Sequence, residues 1–132
     1  MSGKVRPTRT PLPIFEAFTT ISVPFPYVER PTLKRRPALV VSVPGLMLEH
    51  GLAWVLMITS AANAPWPEDI PIDDLRRAGL SKPSIIRPTK LTTIETAAAT
   101  ALGQVTPEVA SRVRVTLCRL LTPLDRNHGG GG

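Results

Sequence analysis

Fifteen prolines are scattered through this 132-residue chain, against nine glycines, and they leave few stretches free to form an uninterrupted helix. Proline has a fixed φ and no backbone N–H, so it ends helices and within sheets is confined to edges, first positions and bulges. A chain cut this often folds as many short segments with stiff connections, which points to an all-β or β-rich domain. Hydrophobic residues make up 42% and charged residues 20%, which excludes a disordered chain. At this length a single domain is expected, burying about two thirds of the surface its unfolded chain would expose.

Thr19, Ile21, Val23 and Phe25 alternate with Thr20, Ser22 and Pro24, a half-buried first strand closed by Pro24 and Pro26. A loop over residues 27–34 leads into Lys34-Arg35-Arg36-Pro37-Ala38-Leu39-Val40-Val41-Ser42, where three cations run directly into an apolar, β-branched segment too short for an ordinary helix. The pattern predicts a cationic loop feeding a buried strand over 38–43, with Pro37 in the first strand position and Arg36 held extended so that its guanidinium leaves the strand mouth. The blander reading is a solvated charge run ahead of a core strand. Pro44-Gly45 breaks this strand and His50-Gly51 falls in a hairpin. Leu52 to Ser60, nearly all apolar, is then a central strand with a polar exit at Thr59-Ser60.

Further short strands are predicted at 69–72, 84–87, 91–94 and 102–105, with Pro88 separating the second from the third. Residues 73–79 place Asp73 and Asp74 before Arg76, Arg77 and Gly79, the charge order of one or two helical turns. Thr106-Pro107-Glu108 has the chemistry of a helix start, and Val109, Val113, Leu117, Leu120 and Leu121 follow at helical spacing up to Pro123. Cys118 inside that helix reads as a small core or interface residue. Five or six short strands with tight connections suggest a small barrel. Residues 1–16 are expected to form a loosely ordered arm, 17–125 the single barrel domain, and 126–132, with four terminal glycines, a flexible tail.

The net charge of +6 is unevenly placed: residues 1–42 carry seven Lys/Arg and two Glu, or +5, and residues 43–132 carry nine and eight, or +1. Such a field attracts phosphate backbones or acidic protein segments. The longest central run without charge, 51–67, has an apolar part about half the ~20 residues needed to cross a bilayer, so no membrane partner is expected. One cysteine makes no internal disulfide and the N-terminal cations precede no apolar run, so a cytoplasmic location is expected.

The sequence has no His/Cys cluster, no HExxH, no GxSxG and no phosphate-cradling glycine loop, so neither a metal site nor a cofactor is expected. What remains is a set of strand ends carrying Arg35 and Arg36, Thr59 and Ser60, and Arg87 and Lys90, with Phe25 and Tyr27 as stacking surfaces. That set suits a phosphodiester. Guanidinium groups bind phosphate bidentately and stabilise developing negative charge, hydroxyls donate to non-bridging oxygens, and aromatic rings stack on unpaired bases.

Val23-Pro-Phe-Pro-Tyr27, Lys34-Arg-Arg-Pro-Ala-Leu-Val-Val-Ser42, Met57-Ile-Thr-Ser60, and Pro83-Ser-Ile-Ile-Arg87 with Lys90-Leu-Thr-Thr-Ile94 resemble, in that order, the PemK/MazF-type toxins of bacterial type II toxin–antitoxin modules. The resemblance covers roughly residues 18–122. It implies an SH3-like β-barrel with added helices, a homodimer, metal-independent endoribonuclease cleavage of single-stranded mRNA, and inhibition by an acidic antitoxin. It puts the family's catalytic arginine on Arg36 and its catalytic hydroxyl on Thr59, with Arg35, Ser60, Arg87, Lys90, Phe25 and Tyr27 left to bind substrate. Two positions after Arg87, where certain members have an aspartate, this chain has Thr89, so no carboxylate is expected there. The alternative from a different class is a non-catalytic binder on the same fold, whose arginines are only an electrostatic patch.

Overall fold

The computed structural model describes residues 13–24 and 34–122. Its elements in chain order are β1 (Thr19–Pro24), β2 (Arg35–Val40), α1 (Pro44–His50), β3 (Leu52–Ser60), β4 (Ile70–Pro71), β5 (Ser84–Glu95), a 3₁₀ turn (Thr96–Ala98), β6 (Thr100–Gln104) and α2 (Pro107–Leu120). The six strands form one sheet in the order β4-β5-β3-β2-β1-β6, with every described pairing antiparallel. The sheet curls into a half-barrel, with β4 and β6 at its two edges. The turn after β4 reaches β6, where Gln104 N–H donates to the Arg77 carbonyl at 3.0 Å.

Both faces of the sheet are covered, which is why β3 is apolar along nearly its whole length. On one face Val23, Ala38, Val40, Val55 and Met57 pack with Phe15 and with Met47 of α1. On the other Leu39, Leu56, Ile58 and Ile86 pack with Val109, Ala110 and Val113 of α2. Thr20 is buried as well, because its hydroxyl donates to the Ala78 carbonyl at 2.7 Å. Among the described residues no helix is long and apolar enough to cross a membrane.

Several expectations need correction. The second strand starts three residues early, at Arg35, and Pro37 is its third residue. Val40 and Val41 bond towards β1 and β3 respectively, so strand alternation aims the Pro37 nitrogen at β3. The β2–β3 ladder begins only at Ala38, opposite Met57, so no ladder bond is lost there. Pro44 does not simply end a strand; it opens α1 at the first helical position. His50 is therefore at a helix terminus, followed by Gly51 at φ 67° as the left-handed cap.

No helix forms at 73–79. The segment makes one bond of helical type, Ala78 N–H to the Asp74 carbonyl, and Gly79 and Leu80 then close on Arg76 and Leu75 in the paired pattern that ends helices. Gly79 sits at φ 73°, and a Cβ there would collide with the Leu102 carbonyl, as one on Gly103 would with the Arg77 carbonyl. The two backbones meet directly, and the turn is held by that contact instead of lengthening into a helix.

The strands expected at 84–87 and 91–94 are a single twelve-residue β5. Its pairing with β3 jumps from Leu56–Leu91 to Met57–Arg87, so Pro88, Thr89 and Lys90 form a bulge that accommodates the proline. In α2, Cys118 and Leu120 are exposed, as is Leu121 just past its end, so the buried stripe ends at Thr116 and the half-buried Leu117. Phe15 belongs to the core, although residues 1–16 are expected to form a loosely ordered arm.

Candidate active site

Side chains alternate along a strand, and paired residues of antiparallel strands share a face. Ala38 pairs with Met57, and Met57 with Arg87. Arg36 stands two residues before Ala38 and Thr59 two after Met57, so Arg36, Thr59 and Arg87 project from the same face on three neighbouring strands. Arg35 and Ser60 fall on the opposite face. The strand ends diverge because the ladder stops at Ala38, and a cleft opens where they part.

The cleft has two lobes. One, of about 250 Å³, is lined by Arg36, Met57, Ile58, Thr59, Asn63, Arg87 and Lys90. The other, of about 610 Å³, is lined by Lys34, Arg35, Arg36, Thr59, Ser60, Lys82 and their neighbours. Arg36, Ile58 and Thr59 border both. Among the described residues, six basic ones line the two lobes and no Asp, Glu, His or Cys does. Among the described residues no three His, Cys, Asp or Glu side chains converge as a metal site would require.

The individual residues differ in their freedom. Arg36 Nε is buried. Arg35 donates through Nε to Ser22 Oγ at 2.9 Å, and through Nη2 to the Ser22 and Ala98 carbonyls at 2.6 and 2.9 Å, so it straps β2 to β1 and to the turn before β6. Thr59 Oγ1 accepts from Asn63 Nδ2 at 2.6 Å. Ser60 Oγ accepts from Ala62 N–H at 3.1 Å, which shapes the loop leaving β3. Lys90 Nζ lies 5.7 Å from the centre of the Trp66 ring. Phe25 and Tyr27, expected as stacking surfaces, lie outside the described residues.

Arg87 is the most constrained. It is buried, and its Nε and Nη2 meet the two carboxylate oxygens of Asp69 at 3.0 and 2.8 Å. Nη2 also donates to the Ala64 carbonyl at 3.0 Å, and the guanidinium stacks 4.1 Å from the Trp66 ring centre. None of these three bonds uses Nη1. The Arg87 hydrogen bonds hold the Asp69 carboxyl below the usual carboxylate range although burial opposes this, and Trp66 N–H, donating at 2.8 Å, adds to the effect. Asp69 in turn raises Arg87, which stays charged.

Sequence reasoning missed Asp69, Asn63, Trp66 and Lys82. Asp69 becomes visible only through the pairing: Ile70 pairs with Ile86, so the register, carried one residue further, sets Asp69 opposite Arg87. The carboxylate absent at Thr89 thus has a counterpart beside Arg87, but it comes from β4's entry and is taken up by an ion pair.

Fold and cleft together define a curled β half-barrel carrying a cationic groove at its strand ends. The profile of a family described as PemK-like, MazF-like toxin of type II toxin-antitoxin system matches residues 18–121, and the chain belongs to that family. Among solved structures, a MazE-MazF complex from Deinococcus radiodurans is 23% identical, with a TM-score of 0.66 over 84% of this chain and 98% of that one. An endoribonuclease in complex with its cognate antitoxin from a mycobacterial species is 14% identical, with a TM-score of 0.64 over 85% and 97%. The Mycobacterium tuberculosis toxin MazF-mt6 is 17% identical, with a TM-score of 0.58 over 75% and 92%. At these identities the likeness is one of fold. No curated protein sequence matches the chain significantly.

Proposed function

We propose that this toxin is an endoribonuclease that cuts single-stranded RNA without a metal ion, using Arg36 and Thr59. The observation that carries the reading is the convergence of Arg36, Thr59 and Arg87 on one face of a cleft whose described lining has six basic residues and no acidic one. The substrate's 2′-oxygen attacks the adjacent phosphorus as its proton departs. A 2′-O–P bond forms, the bond from phosphorus to the 5′-oxygen breaks, and that oxygen takes up a proton. Products are a 2′,3′-cyclic phosphate and a 5′-hydroxyl.

Charge on the non-bridging oxygens rises towards the pentavalent state. Arg36, with Nε already out of water, stabilises it without paying for reorganisation. A guanidinium is protonated at any working pH, so its part is electrostatic and not proton abstraction. The Thr59 hydroxyl donates to a non-bridging oxygen and fixes the phosphate in line. Lys34, Arg35, Lys82, Arg87 and Lys90 hold flanking phosphates, with Ser60 at the mouth. The test is RNA cutting in the presence of EDTA by wild type and by Arg36→Ala.

An acidic antitoxin segment competes for the same phosphate positions, a reading supported by the antitoxin complexes in which structural relatives were solved. The functional unit is a homodimer. Trp54 and Leu91 lie on the sheet face that α2 covers at Leu39 and Leu56, yet they are 50% and 46% exposed, and a second copy would cover them.

A further inference from the structure

Thr59 can serve a phosphate only if its single hydroxyl hydrogen points into the cleft, and a threonine hydroxyl rotates freely unless something fixes it. The amide of Asn63 reaches back four residues, and its Nδ2 donates to Thr59 Oγ1 at 2.6 Å. An oxygen that accepts along one direction keeps its own hydrogen for another. From the geometry we infer that Asn63 is a positioning residue: it occupies a lone pair of Thr59 and thereby turns the Thr59 O–H towards the bound phosphodiester. The inference rests on the endoribonuclease reading above.

The surroundings of Asn63 support this. The residue is exposed on the loop between β3 and β4, where a side chain would ordinarily be mobile, but its backbone is pinned on both sides. Ahead of it, Asn63 N–H donates to the Ser60 carbonyl at 3.1 Å and Ala62 N–H to Ser60 Oγ, closing a tight turn on the strand end that carries Thr59. Behind it, the Ala64 carbonyl accepts from Arg87 Nη2 at 3.0 Å. Arg87 is itself locked to Asp69, so the loop is tied to the cleft wall just past the amide. Asn63 also lines the smaller lobe beside Arg36 and Thr59. The amide is thus presented to the hydroxyl by a braced loop, which is what a fixed donor needs and a solvated surface residue does not.

The test is a double-mutant cycle with Asn63→Ala and Thr59→Val, reading kcat and KM on a short single-stranded RNA. A net neutral hydrogen bond is worth roughly three- to tenfold, so Asn63→Ala should lower kcat by that factor with KM little changed. In the Thr59→Val background the same change should do nothing more. Asn63→Asp keeps the size but accepts instead of donating, so it should draw the hydroxyl away from the cleft and lower kcat at least as far, with any repulsion of RNA appearing separately in KM. Equal losses from Asn63→Ala in both backgrounds, or a loss confined to KM, would overturn the assignment and leave Asn63 as a direct RNA contact. Failure of the wild type to cut RNA would instead remove the reading on which it rests, and the assignment with it.

Discussion

Replacing Asp69 with alanine removes three bonds at once: the two to Arg87 at 3.0 and 2.8 Å and the one from Trp66 N–H at 2.8 Å. Both side chains of the ion pair are close to fully buried, at 10% exposure for Arg87 and 7% for Asp69. Taking away Asp69 leaves Arg87 without its counter-ion but still bonded to the Ala64 carbonyl, stacked on Trp66 and bordering the cleft, so the cost falls below that of a fully enclosed pair, at about 1–3 kcal/mol, against about 1 kcal/mol or less for a surface pair. For a domain of this size that corresponds to a fall in Tm of roughly 4–12 °C. Replacing both residues, as Asp69→Ala with Arg87→Met, should cost well under the sum of the single changes, because no buried charge then remains. The pH dependence has a definite sign. The folded-state pKa of Asp69 is depressed, so its contribution is present above the unfolded value of about 3.9 and is lost as pH falls through the lower folded value. Urea unfolding at neutral pH and below pH 4 measures both effects, and Asp69→Ala should flatten the acid limb. A neutral-pH loss below about 1 kcal/mol would refute the claim that this pair builds the cleft wall.

Two further outcomes are expected. Light scattering at micromolar concentration should report a dimer mass that Trp54→Lys converts to a monomer, and a monomeric wild type would remove the proposed interface. Titrating single-stranded RNA into a preformed complex with the acidic antitoxin should show mutual exclusion, and rising salt should weaken the RNA complex more steeply than the protein one, since RNA binding releases counterions. Simultaneous binding with both affinities unchanged would eliminate a shared site.

The parts of the fold written in local chemistry were legible in the sequence. Thr106-Pro107-Glu108 does open α2, with Val109 N–H donating to the Thr106 hydroxyl at 3.3 Å, and Leu52 to Ser60 is the central strand with its polar exit at the cleft. What depended on distant partners was not. Asp73 to Gly79 has the charge order of a helix, yet Gly79 and Gly103 let two backbones meet and the segment stays a turn. Pro88 reads as a break between strands, but a strand can carry a proline where its partner skips three residues. At the site, Arg36 and Thr59 fall on separate strands and were visible by motif. Their shared face follows only from the register of β2 on β3, and the braces Asp69 and Asn63 sit in loops with no periodicity to mark them.

The most direct measurement is incubation of the purified protein with a single-stranded RNA in excess EDTA, followed by analysis of the product ends. The account predicts cuts that leave a 2′,3′-cyclic phosphate and a 5′-hydroxyl, and a fall in rate of about 10²–10³ for Arg36→Ala, the usual loss for one charge-stabilising donor, with its thermal unfolding unchanged. RNA left intact by the wild type, or Arg36→Ala cutting at the wild-type rate, would contradict it.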